Sequence, residues 1–149
     1  MPTLETTTPA ALPTLPLLRA FILAGRAVFT VRSRRTGERR TFKVAQKEGA
    51  EGFYFVSLLN GPDNTSDYRY LGAMFTGREN GKLGWKLNRQ GWAPEAGAAF
   101  GWVVKVLNGQ TDASQAEFWH EGRCGRCGRA LTTPESIASG IGPVCAGLE

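Results

Sequence analysis

All three cysteines and the single histidine of this 149-residue chain fall between positions 120 and 145, with none in the other 123 residues. No other feature restricts the fold as much. Cys124 and Cys127 stand at a C-x2-C spacing, Cys145 returns after seventeen intervening residues, and His120 lies four residues before Cys124. Two thiolates at that spacing can share one ion, because the turn between them brings both sulfurs to one side. Gly125 and Gly128 permit the positive φ that such turns use. Three cysteines cannot all pair with one another, which favours metal over a disulfide framework and a reducing, cytoplasmic setting. The expected site is a structural Zn2+ held by His120, Cys124, Cys127 and Cys145. Glu149, the terminal carboxylate or water are alternatives for the fourth position. A unit of about 30 residues buries too little surface to fold without such a staple.

The chain before this cluster has the pattern of an α+β domain. Residues 1–16 are rich in Pro and Thr and lack periodicity, as expected of a loose tail. Leu17–Ala24 can form two helical turns with Leu17, Ala20, Phe21 and Ala24 on one face, stopped by Gly25. Five segments then alternate or are continuously apolar: Ala27–Ser33, Arg40–Ala45, Phe53–Leu59, Tyr68–Phe75 and Leu83–Asn88. Turn formers separate them, so an antiparallel meander of about five strands is predicted. Phe53–Leu59 is apolar on both faces, the mark of a central strand. Phe100, Val103, Val104 and Leu107 then switch to helical spacing over Pro94–Leu107, giving one of one or two helices that cover the sheet. The predicted organisation is a tail (1–16), an antiparallel domain (17–108), a linker (109–116) and a finger (117–149).

Charge is uneven. Residues 26–47 hold eight Lys or Arg against one acid, Glu38, in a chain of net charge +5. Arg32, Arg34, Arg35, Arg39, Arg40 and Lys43 fall on the first predicted hairpin, and Arg123, Arg126 and Arg129 on the knuckle. These nine are the candidate contacts to nucleic acid, with Tyr54, Tyr68, Tyr70, Trp85 and Trp92 as candidate base-stacking rings. The plainer reading is a solvated strand face above aromatic core residues.

Between the cysteines, Thr132-Thr-Pro-Glu135 has the form of a capping box before a short helix, and Gly142-Pro143 places Cys145 near a second helix start. A knuckle followed by a ligand at a helix start resembles a shortened treble clef. The whole run resembles a small zinc-finger family of unknown function that recurs at the C-termini of proteins of bacteriophages and mobile elements. Its C-x2-C-G-R-x-L, P-x-S-I and G-I-G-P-x-C pieces are all present here. Trp119–Arg123 and the Phe53–Phe75 region also resemble segments that precede such fingers. The resemblance implies a phage or plasmid origin and supplies no activity.

The expected function is therefore a zinc-binding accessory protein that contacts nucleic acid. An inhibitor of a host defence complex, of the anti-CRISPR kind, is the alternative. An enzyme is the weakest reading. Asp63 and Asp67 could bind a metal or act as acid and base, but turn propensity explains the same residues without function. With His120 assigned to zinc, no Ser-His or Cys-His dyad remains. The chain has no P-loop, G-x-G-x-x-G, G-x-S-x-G or H-E-x-x-H motif.

Overall fold

A computed structural model of the chain describes residues 10–12, 14–62, 67–76, 82–131 and 134–142. The expected meander is present as β2 (Arg26–Ser33), β3 (Arg39–Gln46), β4 (Phe53–Leu59), β5 (Tyr68–Thr76) and β6 (Leu83–Leu87), each antiparallel to the next. The sheet has seven strands rather than about five, in the order β1-β7-β2-β3-β4-β5-β6. The two extra strands come from segments expected to lie outside it. β7 (Ala116–His120) spans the end of the predicted linker and the start of the predicted finger, and pairs with β2 from Phe29↔His120 to Ser33↔Ala116. β1 (Ala10–Ala11) lies in the predicted tail and pairs with β7, and Leu12 beside it is buried. Residues 1–9 of that tail lie outside the described residues.

Helix α1 (Leu15–Ile22) starts where Thr14 Oγ1 accepts the Leu17 N–H, with a proline in the first turn. Its buried face is Leu18, Phe21 and Ile22, offset from the predicted stripe. Helix α2 (Pro94–Leu107) has the predicted bounds, and Phe100, Val103, Val104 and Leu107 are buried as their spacing requires. At its C-terminal end the Arg19 guanidinium donates to Leu107 O at 2.6 Å, joining the two helices and satisfying a terminal carbonyl. Asn108 fixes the same end to β6 by exchanging hydrogen bonds with the Leu83 backbone at 2.8 and 2.9 Å.

Both helices lie on one face of the sheet. Phe29, Phe42 and Phe100 form an aromatic centre with ring centroids 5.2–6.5 Å apart, and Trp85 lies 4.6 Å from Phe100. Close approach depends on Gly97, where a Cβ would sit 2.4 Å from Leu87 Cδ1. The opposite face has no helix over it among the described residues. β4 is central, as its composition indicated, yet Phe55 on that opposite face is 39% exposed. Its apolar character on both faces therefore does not reflect burial on both.

Candidate functional site

The segment after β7 folds into a knuckle. Arg123 and Ala130 form an isolated antiparallel bridge, Cys124 N–H donates to Arg129 O, and Gly128, at φ 79°, donates back to Cys124 O. This turn places the side chains of Cys124 and Cys127 in hydrogen-bond contact. Arg126 N–H and Gly142 N–H point at Cys124 Sγ from 3.4 and 3.3 Å. Burial alone would raise the Cys124 thiol above its ordinary value. The N–H groups of Gly142, Cys127 and Arg126 and the Cys127 side chain outweigh it and bring the thiol down to about 7. A sulfur that collects backbone donors and favours its thiolate is the donor chemistry a zinc site needs. Gly142 also brings the returning chain back to that sulfur, three residues before Cys145. Cys145, Thr132 and Glu149 lie outside the described residues. Among the described residues, no group of three His, Cys, Asp or Glu side chains is arranged to hold a metal ion.

His120 is set differently from the two thiols. It is fully buried on the helix-covered face of the sheet, 5.6 Å from the Phe21 ring. Nδ1 accepts the Gly122 N–H at 2.9 Å, which leaves the proton on Nε2, and Nε2 donates to Ile137 O at 2.5 Å. Both ring nitrogens are thus committed to backbone groups. The ring ties β7 to α3 (Pro134–Ser139), and Phe21 wedges in beside it. A Cβ at Gly125 or Gly140 would come within 2.8 or 2.5 Å of the Phe21 ring, so both glycines make room for that wedge. Arg26 N–H donates to Gly125 O, and Gly125 N–H to Gly140 O. The knuckle is therefore docked against α1 and the start of β2.

The candidate arginines divide into two separate groups. The knuckle lies at the Arg26 end of β2 and the hairpin turn at its Ser33 end, about 23 Å away for seven residues of strand. On the hairpin, Arg32 pairs with Glu117 at 3.8 Å and Arg40 with Glu38 at 3.5 Å. Arg34, Arg35 and Arg39 are exposed and have no acidic partner among the described residues. Lys43 is half-buried with its ammonium 5.7 Å from the centre of the Tyr68 ring. On the knuckle, Arg126 and Arg129 are exposed, while Arg123 donates to Gly128 O and braces the turn.

The candidate stacking rings also divide. Tyr54 is buried, with its hydroxyl on Leu23 O, and burial, with the Glu51 charge, raises its pKa. Trp85 packs on Phe100, and Trp92 has the Arg69 guanidinium 4.2 Å above it. Tyr68 is half-buried, and its phenol is pushed up to about 12 by burial and then by Glu121. Only Tyr70 of the five is exposed. The structure adds Phe55 and Phe75, also exposed and on the uncovered face, which sequence patterning had assigned to a buried strand or left unmarked. The available signal was the period-2 series Phe53, Phe55, Ser57, Leu59, which carries a second apolar stripe where a solvated face would be polar. Asp67 opens β5, its carbonyl bonded to Asn60 N–H, and Asp63 lies outside the described residues.

Among the described residues, no helix is long and apolar enough to cross a membrane. No curated protein and no solved structure matches the chain. Residues 114–148 match the model of a family of unknown function, DUF6011, so the C-terminal unit, β7 and knuckle together, is similar to the members of that family.

Proposed function

We propose that the protein binds nucleic acid and that zinc clamps its C-terminal unit. The observation that carries the first part is the hairpin tip. Arg34 and Arg35 stand exposed there with no ion pair among the described residues, and Arg39, also outside any ion pair, shares a pocket with Glu117 and Glu121, while Arg32 is paired with Glu117 and Arg40 with Glu38. Cations kept in water and left unneutralised suit phosphate contacts, which supply most of the affinity for a polyanion and little sequence preference. The resemblance of the finger supports a phage or mobile-element setting, in which such a protein would serve as an accessory factor.

For the clamp, Cys124 and Cys127 supply two thiolates, and Cys145 the third, on a chain that has already returned to Cys124 at Gly142. Zinc would add Lewis-acid stabilisation of these thiolates and tie the three segments together. His120, the fourth ligand expected from sequence, can join only by giving up the Gly122 or Ile137 bond. Glu149 or water is the ligand that leaves both bonds intact.

Two measurements test the reading. Replacing Arg34, Arg35 and Arg39 together by Ala should weaken oligonucleotide binding and flatten its salt dependence by about three counterions' worth of slope. Wild-type protein that binds no oligonucleotide at low salt removes the proposal, and a stoichiometric protein partner in its place turns the reading to an inhibitor. Purified protein should contain one zinc, lost in Cys124→Ser and kept in His120→Gln. Zinc lost in both variants restores His120 as a ligand, and a metal-free wild-type protein sinks the clamp.

A further inference from the structure

The uncovered face of the sheet holds aromatic rings in a cationic frame, a surface distinct from the arginine clusters. Cross-strand register lays it out in rows. One row runs Arg26, Ala45, Phe55, Ala73, Lys86, the next runs Val28, Lys43, Ser57, Tyr70, and a third pairs Phe53, Phe75 and Gly84. Phe55 meets Tyr70 edge to face at 6.0 Å and Phe53 at 5.5 Å. Tyr70 is 46% exposed, Phe55 39% and Phe75 38%. Phe75 lies across β6 because Gly84 has no side chain: a Cβ there would fall 2.3 Å from the ring.

A groove of about 500 Å3 opens beside Phe55 on this patch, lined by Phe53, Tyr70, Ala73, Phe75, Lys86 and Arg89 among others. That volume lies within the ~300–1,000 Å3 of ordinary ligand clefts. Among the described residues its lining contains two cations and no acid. The Lys47 ammonium stands 5.7 Å from the centre of the Phe53 ring. Glu48 and Glu51 lie beyond it, in the turn outside the strands. The other half of the same face is different in kind. Around Thr30, Arg32 and Arg39 lie Glu117 and Glu121, and Glu121 accepts a hydrogen bond from Thr30. Among the described residues, the β4–β6 half combines bare rings with a groove lined by cations and no acid.

We infer that this half-face is a stacking platform for single-stranded nucleic acid, which rests on the proposal that the protein binds nucleic acid. Flat rings can stack on bases only when the bases are unpaired, because duplex bases are already stacked on one another. The surrounding ammonium and guanidinium groups answer the phosphates of the same strand. An apolar protein segment would satisfy the rings but leave Lys86 and Arg89 without partners. A neutral sugar would do the same.

The test uses the full chain, fluorescein-labelled oligothymidylate and a duplex of equal length. Wild type should bind the single strand more tightly than the duplex. Phe55→Ile with Tyr70→Ile keeps apolar area and strand propensity while removing two π-faces. It should weaken single-strand binding roughly 10- to 100-fold with the melting curve little changed. Phe55→Tyr should keep the wild-type affinity. Equal binding of single strand and duplex, or an unchanged affinity in the double variant, overturns the platform. If that variant is unaffected while the Arg34, Arg35 and Arg39 variant loses binding, the platform falls and the nucleic-acid reading stands. If neither oligonucleotide binds wild type at low salt, both fall.

Discussion

The same five strands of the meander build two faces that both carry aromatic rings and meet opposite fates. On the covered face Phe29, Phe42 and Val56 are fully buried beneath α2. On the uncovered face Phe55, Tyr70 and Phe75 remain more than a third exposed. Neighbouring residues of β7 repeat the contrast: His120 is buried with both nitrogens bonded, and Trp119 is exposed. The lesson is that apolar alternation specifies a sheet and its two faces, while the supply of helices decides which face becomes core. Here α1 and α2 cover one face. The aromatic side chains of the other stay partly in water, which leaves them available for contact.

Three paired substitutions would sharpen or break this contrast, in order of effect. Phe100→Ala should cost about 3–5 kcal/mol by leaving a cavity among the three rings of Phe29, Phe42 and Trp85, whereas Phe55→Ala should cost no more than about 1 kcal/mol. Urea denaturation measures both, and equal losses would mean the open face is as structural as the covered one. Second, His120→Ala strands the Gly122 N–H and the Ile137 carbonyl and should cost about 2–4 kcal/mol, against less than about 1 kcal/mol for Trp119→Ala. A harmless His120→Ala in metal-free protein would show that the ring is not the brace its hydrogen bonds indicate. The smallest contrast lies in two glycines. Gly97→Ala drives a methyl into packed Leu87 and should cost about 1–3 kcal/mol. Gly84→Ala meets only the Phe75 ring, which can swing into solvent, so its melting point should barely move while single-strand affinity drops.

What the sequence disclosed follows the range of its interactions. β2 to β6 were legible because each is tied to the next by a local turn, with Gly37, Gly49 and Gly52 at positive φ between them. The period of α2 was legible for the same local reason. β7 was not: its alternation of Ala116, Phe118 and His120 is only five residues long, and its partner lies about ninety residues earlier in the chain. His120 shows what residue type leaves open. A histidine four residues from a C-x2-C pair has the chemistry of a ligand, but its hydrogen bonds to Gly122 and Ile137 are tertiary facts that spacing does not carry. The basic hairpin was legible as a charge excess. Of its ion pairs, Arg40 with Glu38 is local along the chain, whereas Arg32 with Glu117 required β7 to lie beside β2.

The position of β7 between β1 and β2 has a consequence for how the molecule is made. During synthesis the meander emerges first, with the Phe29–Ser33 edge of β2 bare. Its partner follows about ninety residues later, roughly 5–20 s at ribosomal rates. For that interval the nascent chain offers an open strand edge beside unfilled aromatic core, the form most prone to pair with a neighbour. Closure waits for Ala116–His120 to arrive and for Gly125 and Gly140 to close around Phe21. The time between synthesis of β2 and of β7 therefore bears on yield as well as on stability: chains lost in that interval aggregate before any finished protein unfolds.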